Sequence, residues 1–250
     1  MLKLIVSGFN GRMGQVVYRL AKEHPALLPV AGFTQHPVDD AAIPLFSNPD
    51  DYKEDADVVI DFSNHDFLSP LLSYCLSRRL PLVLATTGYT ETQQAQITAA
   101  AEKIPIFQSA NMSVGINALI ALVQKAAAAL GKTWDIEIVE KHHNKKLDAP
   151  SGTALMLANA AASALPFAAE YVYERQSVRR PRDKKEIGIS AVRGGTIVGD
   201  HDVIFAGQNE VIELTHRAQS REVFASGALE AAQFLHQQPA GLYSMQDLLS

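Results

Sequence analysis

Six consecutive residues, Lys141 to Lys146, hold two histidines and three lysines in a chain whose net charge is -5. An imidazole can take and give a proton near neutrality, an amine held at the right distance can donate one, and grouped cations attract carboxylates. The residues that follow, Asp148-Ala149-Pro150-Ser151-Gly152-Thr153, read as the start of a helix. A helix start presents N–H groups without intrahelical partners and the positive pole of the macrodipole. Together these parts suit a site that binds an anionic small molecule and moves a proton on it. Each residue also has a plainer role: a histidine pair at a strand end in structure, lysines as solvated surface, Ser151 as an N-cap. A metal held by His142, His143 and Asp148 would have no cysteine partner and would sit among lysines that oppose a cation, so no metal is expected.

A second constellation stands near the start. Gly8-Phe9-Asn10-Gly11-Arg12-Met13-Gly14 lies between a strand-like run, Leu2 to Ser7, and a helical stretch from Arg12 to Glu23. A pyrophosphate needs close backbone approach and a helix N-terminus at that point of a βαβ unit. The spacing is GxxGxxG, departing from the commoner GxGxxG at Asn10, and a glycine turn that only packs helix on strand is the other reading. The continuing βαβ pattern favours a dinucleotide, with Gly8, Phe9, Asn10, Gly11, Arg12 and Met13 as its residues.

The end of the second strand, where an acid would mark a ribose 2′-hydroxyl and a base a 2′-phosphate, offers Thr34, Gln35 and His36. NADH and NADPH both stay open. Arg12 either meets a 2′-phosphate or is solvated surface. Two later loops at strand ends, Thr86-Thr87-Gly88 and Ser109-Ala110-Asn111-Met112-Ser113, are expected to line the nicotinamide half, although turn chemistry alone also accounts for such residues.

The elements that must position these groups follow from periodicity. Short apolar runs at 27–33, 57–62, 81–86 and 104–107 alternate with helical stretches, which predicts a parallel, doubly wound sheet covered on both faces. After Asn111 the texture changes to an Ala-rich helix over 115–130, an alternating strand from Trp134 and a second Ala-rich helix over 151–165. A polar, basic loop spans 174–186, and strand-like runs follow at 187–193, 196–206 and 209–216. A second α+β domain with an open mixed or antiparallel sheet is expected, and an open sheet invites pairing with another subunit. A last helix, 221–236, is expected to pack back on the first domain.

With 47% hydrophobic and 20% charged residues over 250 positions, the chain has the composition of a globular protein, without internal repeats. The lone Cys75 excludes an intrachain disulfide and fits a reducing cytoplasm. No apolar run approaches the roughly 18 residues of a membrane span, and the negative charge disfavours nucleic acid.

Gly11-Arg12-Met13-Gly14, Thr86-Thr87-Gly88, Asn111-Met112-Ser113-Val114-Gly115 and the stretch from His142 to Ala154 occur together and in order. In this, over essentially its whole length, the chain resembles the 4-hydroxy-tetrahydrodipicolinate reductase (dihydrodipicolinate reductase) family. The His-His-x-x-Lys-x-Asp-Ala-Pro-Ser-Gly-Thr-Ala signature carries most of the likeness. The resemblance implies a Rossmann-type domain over 1–112, completed by 221–250, and a substrate and tetramerisation domain over 113–220. It implies His142 as proton donor and acceptor, Lys146 as proton donor, and His143, Gly152 and Thr153 as holders of a dicarboxylate substrate. The implied reaction is an NADPH- or NADH-dependent reduction in lysine and diaminopimelate biosynthesis, in which hydride transfer leaves an enamine that must be protonated. An aspartate or homoserine dehydrogenase, and a dinucleotide sensor without chemistry, are the competing classes. His201, His216, Arg217 and Arg221 receive no role.

Overall fold

The computed structural model describes residues 1–37 and 41–250. The chain forms two compact units, Met1–Val114 with Glu222–Ser250, and Gly115–Arg221. The first unit opens with β1 (Leu2–Ser7), α1 (Arg12–Glu23), β2 (Leu27–Phe33), β3 (Leu45–Phe46) and β4 (Val58–Asp61). It continues through α2 (Leu68–Arg78), β5 (Leu82–Leu84), α3 (Glu91–Ala101) and β6 (Pro105–Gln108). Helix α4 (Val114–Leu130) leads into β7 (Asp135–His142), α5 (Gly152–Ser163), β8 (Glu170–Val172), β9 (Glu186–Arg193), β10 (Gly199–Ala206) and β11 (Val211–Ala218). The first unit is completed by α6 (Glu222–Leu235), β12 (Gly241–Tyr243) and α7 (Met245–Leu249).

The first sheet is parallel throughout, in the order β12-β6-β5-β4-β1-β2-β3. Its strands are apolar on both faces because both are covered. Leu4, Val6, Ile60 and Val83 pack with Val17 of α1 and with Ala228, Leu229 and Ala232 of α6. Ile5, Val59, Leu82 and Leu84 pack on the other face with Leu71, Tyr74 and Ile97. From β1 the chain runs to one edge and then returns to β4 on the opposite side. The C-terminal ends of β1 and β4 therefore flank a topological switch point, where open α/β sheets bind ligands.

The second sheet is mixed, in the order β11-β10-β7-β9-β8. Strand β7 runs antiparallel to β10 and parallel to β9. Period two puts Ile136, Ile138, Glu140 and His142 on one buried face of β7. Helices α4 and α5 cover that face with Leu119, Val123, Leu157 and Ala161, against Val203 and Phe205 of β10. The apolar row of β7 thus ends in two polar residues at core positions, and these begin the second site. The opposite face carries Val139, Ile204 and an exposed Val192, with Lys141 bonded to Asp202 at 2.6 Å. Four cations of the basic loop are paired in place: Arg175 and Arg180 meet the buried Glu186, while Arg182 and Lys184 meet Asp135. Strands β3, β8 and β12 and the short helix α7 lie outside the elements expected from periodicity; the three strands, at two or three residues each, are too short for a repeat to register.

Candidate active site

In the first unit the glycine turn closes on itself through Gly11 N–H, which donates to Gly8 O at 2.9 Å. Helix α1 then starts without a side-chain cap and with no acid in its first turn, so its positive end faces whatever anion the turn receives. Asn10 ties the turn to the end of β2 by donating to His36 O at 2.6 Å. Phe9 contributes packing to the turn. Its ring is buried on Tyr18 and its N–H donates to Phe33 O at 3.0 Å, so it holds the turn from beneath. Met13 packs against the same core, and Arg12 is exposed.

A cleft of about 490 Å³ opens over this turn, lined by Gly8, Gly11, Thr34, Gln35 and His36 and by Phe62, Ser63 and Asn64 of the loop after β4. A smaller cavity of about 210 Å³ shares Phe62, Ser63 and Asn64 and is lined by Thr86 and Thr87. The residues after β4 escaped the sequence reading because they form no glycine pattern. Asp61 anchors them: it is buried, accepts Thr86 Oγ1–H at 2.7 Å and accepts Ser63 N–H at 3.2 Å. Gly88 holds a left-handed φ of 83°. The loop Ala110-Asn111-Met112-Ser113 lines neither cavity. It is stapled by Ser113 N–H donating to Asn111 Oδ1 at 2.9 Å, and it sits so close to α6 that a Cβ on Gly227 would lie 1.8 Å from Met112 O.

In the second unit Glu140, fully buried, is the hub. Its Oε2 meets His142 Nδ1 at 2.6 Å and accepts from Arg193 Nη1 at 2.7 Å. Its Oε1 accepts from Arg193 Nη2 at 2.7 Å and from Ser151 N–H at 3.0 Å. Burial alone would raise this carboxyl, but the bonds from Arg193, His142 and Ser151 outweigh it and hold it below the ordinary carboxylate range. Ser151 caps α5, its Oγ accepting Ala154 N–H at 3.1 Å. Gly152 and Thr153 form the first turn, and a Cβ on Gly152 would meet nothing within 4 Å.

Lys146 Nζ lies 2.9 Å from Asp148 Oδ1, and the Lys146 hydrogen bond holds Asp148 below its ordinary range. His143 is depressed by burial and then by the charges of Arg221, His142, Lys146 and Arg193, which marks the cluster as a zone of positive potential. The structure thus gathers His142, His143, Lys146, Gly152 and Thr153 in one unit. It adds Glu140, whose burial the sequence did not show, and Arg193 and His201, which reach the site from other strands. No metal-binding group of histidines, cysteines and carboxylates occurs among the described residues.

His201 is brought in from β10, its Nε2 3.0 Å from Ser151 Oγ and its ring 5.2 Å from His142. Arg217 falls on the opposite face of the sheet, beside Asp200 and Asp202. Burial, then the charge of His142, pushes His201 from its ordinary 6.5 down to about 4. The unfolded chain takes up this proton first on acidification, so the stability contributed is complete above pH 6.5 and is lost as pH falls toward 4. The loss is on the order of 3 kcal/mol. Urea unfolding at pH 7 and at pH 4.5 should show it, and His201→Gln should flatten the difference; the same pH dependence in both proteins would refute the assignment.

Two family models cover the chain: "Dihydrodipicolinate reductase, N-terminus" matches residues 2–112 and "Dihydrodipicolinate reductase, C-terminus" matches residues 115–249. The chain belongs to the dihydrodipicolinate reductase family. A 4-hydroxy-tetrahydrodipicolinate reductase of Caldanaerobacter subterraneus subsp. tengcongensis is 55% identical over 251 residues, covering 100% of this chain and 98% of the relative. One from Clostridium tetani is 46% identical, with the same coverage. The solved structure of a dipicolinate-bound dihydrodipicolinate reductase from Paenisporosarcina sp. TG-14 matches with a TM-score of 0.84 at 25% identity, over 98% of this chain and 97% of that one. Membership of the family makes the chain an oxidoreductase with a Rossmann-type sheet and a second, mixed-sheet unit, as the sequence reading expected. No helix among the described residues is long and apolar enough to cross a membrane.

Proposed function

We propose that this chain reduces 4-hydroxy-tetrahydrodipicolinate to tetrahydrodipicolinate, with loss of water, in lysine and diaminopimelate biosynthesis. The observation that carries the reading is the convergence of His142, His143 and Lys146 beside the start of α5, in a chain that also holds an uncapped dinucleotide turn. The nicotinamide of NADPH or NADH supplies the hydride when bound. The 490 Å³ cleft, the glycine turn and the open end of α1 fit a dinucleotide, with Gly8, Phe9, Asn10, Gly11, Arg12, Met13, Thr34, Thr86, Thr87, Gly88 and the loop Ala110–Ser113 as its surroundings. Neither an acid for a 2′-hydroxyl nor a base for a 2′-phosphate stands among Thr34, Gln35 and His36, so this strand end selects neither nucleotide.

His143, Gly152 and Thr153 hold the substrate carboxylates by charge and by the dipole of α5. The space beside Gly152 lets an anion reach the backbone. Lys146 donates a proton to the reduced ring, and His142 takes and gives a proton beside it. The initial rate of cofactor oxidation with freshly generated 4-hydroxy-tetrahydrodipicolinate, in parallel with NADH and NADPH, tests this directly. Cofactor binding without turnover would favour a sensor, and turnover of aspartate or homoserine instead would favour another dehydrogenase.

The protein works as a cytoplasmic homotetramer in this reading. Support comes from the second sheet, whose helices all lie on one face while the other presents Val139, Val192 and Ile204. Val192→Asp should shift sedimentation from tetramer to smaller species; an unchanged sedimentation coefficient would remove that face from the assembly.

A further inference from the structure

We propose that Glu140 is a positioning residue that fixes the neutral His142 ring with its proton on Nδ1, leaving Nε2 as the nitrogen that exchanges a proton with substrate. This rests on the reading that His142 serves the reduction. Four groups converge on one buried carboxylate, at 2.6 Å (His142 Nδ1), 2.7 Å twice (Arg193 Nη1 and Nη2) and 3.0 Å (Ser151 N–H). The two guanidinium arms and the backbone amide can only donate. With the carboxylate ionised, the fourth partner must donate as well, because a bare Nδ1 would set lone pair against lone pair at 2.6 Å. A second partner that orients a histidine and selects its tautomer is a recurring device at metal and catalytic sites.

The fold builds this junction from three elements. Glu140 and His142 share the buried face of β7, and Arg193 is His142's register partner on β9. Arg193 Nη2 also donates to Asp148 O at 2.7 Å, while Ser151 opens α5. One carboxylate therefore sets the His142 ring and ties it to the start of the helix that receives the substrate.

Glu140→Gln separates orientation from bulk. An amide has one acceptor oxygen, which must face the Ser151 amide because that backbone group cannot turn. The NH₂ group then faces His142 and donates to Nδ1, moving the ring proton to Nε2. Nitrogen-15 spectra of the cofactor-free protein, labelled at histidine and assigned with His142→Gln, should show neutral wild-type His142 protonated at Nδ1 and the reverse in Glu140→Gln. The kcat of Glu140→Gln should fall about 10²–10⁴-fold. Wild-type His142 protonated at Nε2 overturns the proposal, as does a variant with wild-type kcat, or one whose kcat falls without that reversal. If the variant does not fold, the wild-type spectrum alone decides. Wild-type turnover tests the reductase reading separately, so failure of one is distinguishable from failure of the other.

Discussion

Lys146→Ala should lower kcat by about 10²–10⁴-fold, the usual worth of a positioned general acid, with little change in cofactor affinity. The side chain is about one-fifth exposed and anchored by Asp148 Oδ1 at 2.9 Å. That partner is a carboxylate near neutral pH, and the Lys146 bond lowers its pKa further, so the ammonium is held in one place beside the cationic cluster. Lys146→Arg sharpens the test. A guanidinium keeps the charge but does not surrender its proton near neutral pH, so it should preserve KM for the dicarboxylate while kcat stays low. If both variants keep near wild-type kcat, Lys146 is not the acid. If KM rises and kcat stays, it is only a carboxylate ligand.

Much of this site was legible in sequence because its donors are neighbours in the chain. Residues 142–153 span a strand end, a loop and a helix start, and such a segment delivers its groups to one place wherever it packs. Glu140 is two residues from His142 and its alternation places both on one face, but alternation cannot say that the face is buried or that Arg193 completes it. That information lies in the pairing of β7 with β9, more than fifty residues apart. His201 reaches Ser151 only because β10 lies antiparallel to β7. The same limit explains the first unit. The glycine turn announces itself, whereas Asp61 and the loop Phe62-Ser63-Asn64 contribute through the strand order, which period and composition leave open. Phe9 shows a contact that the motif did not announce: its ring packs in the core beneath the turn.

That strand order makes Gly8→Ala a damaging small substitution for the cofactor cleft. Gly8 holds a φ of 77°, and a Cβ there would lie 2.6 Å from Phe62 O and 2.7 Å from Ser63 N. These are backbone atoms of the loop after β4, so no side-chain rotation relieves the overlap. The left-handed conformation alone costs a non-glycine residue about 1–3 kcal/mol. The other side is equally closed, since a Cβ on Gly14 would lie 2.2 Å from Gly8 O, so the turn cannot retreat toward α1. The loop that lines both cavities must therefore move away from the turn. Cofactor Kd should rise by about 10–100-fold for that strain, measured by fluorescence titration with NADH and NADPH. Unchanged affinity would mean that the dinucleotide does not depend on the contact between Gly8 and the β4 loop, and the cofactor site would have to be sought away from the switch point.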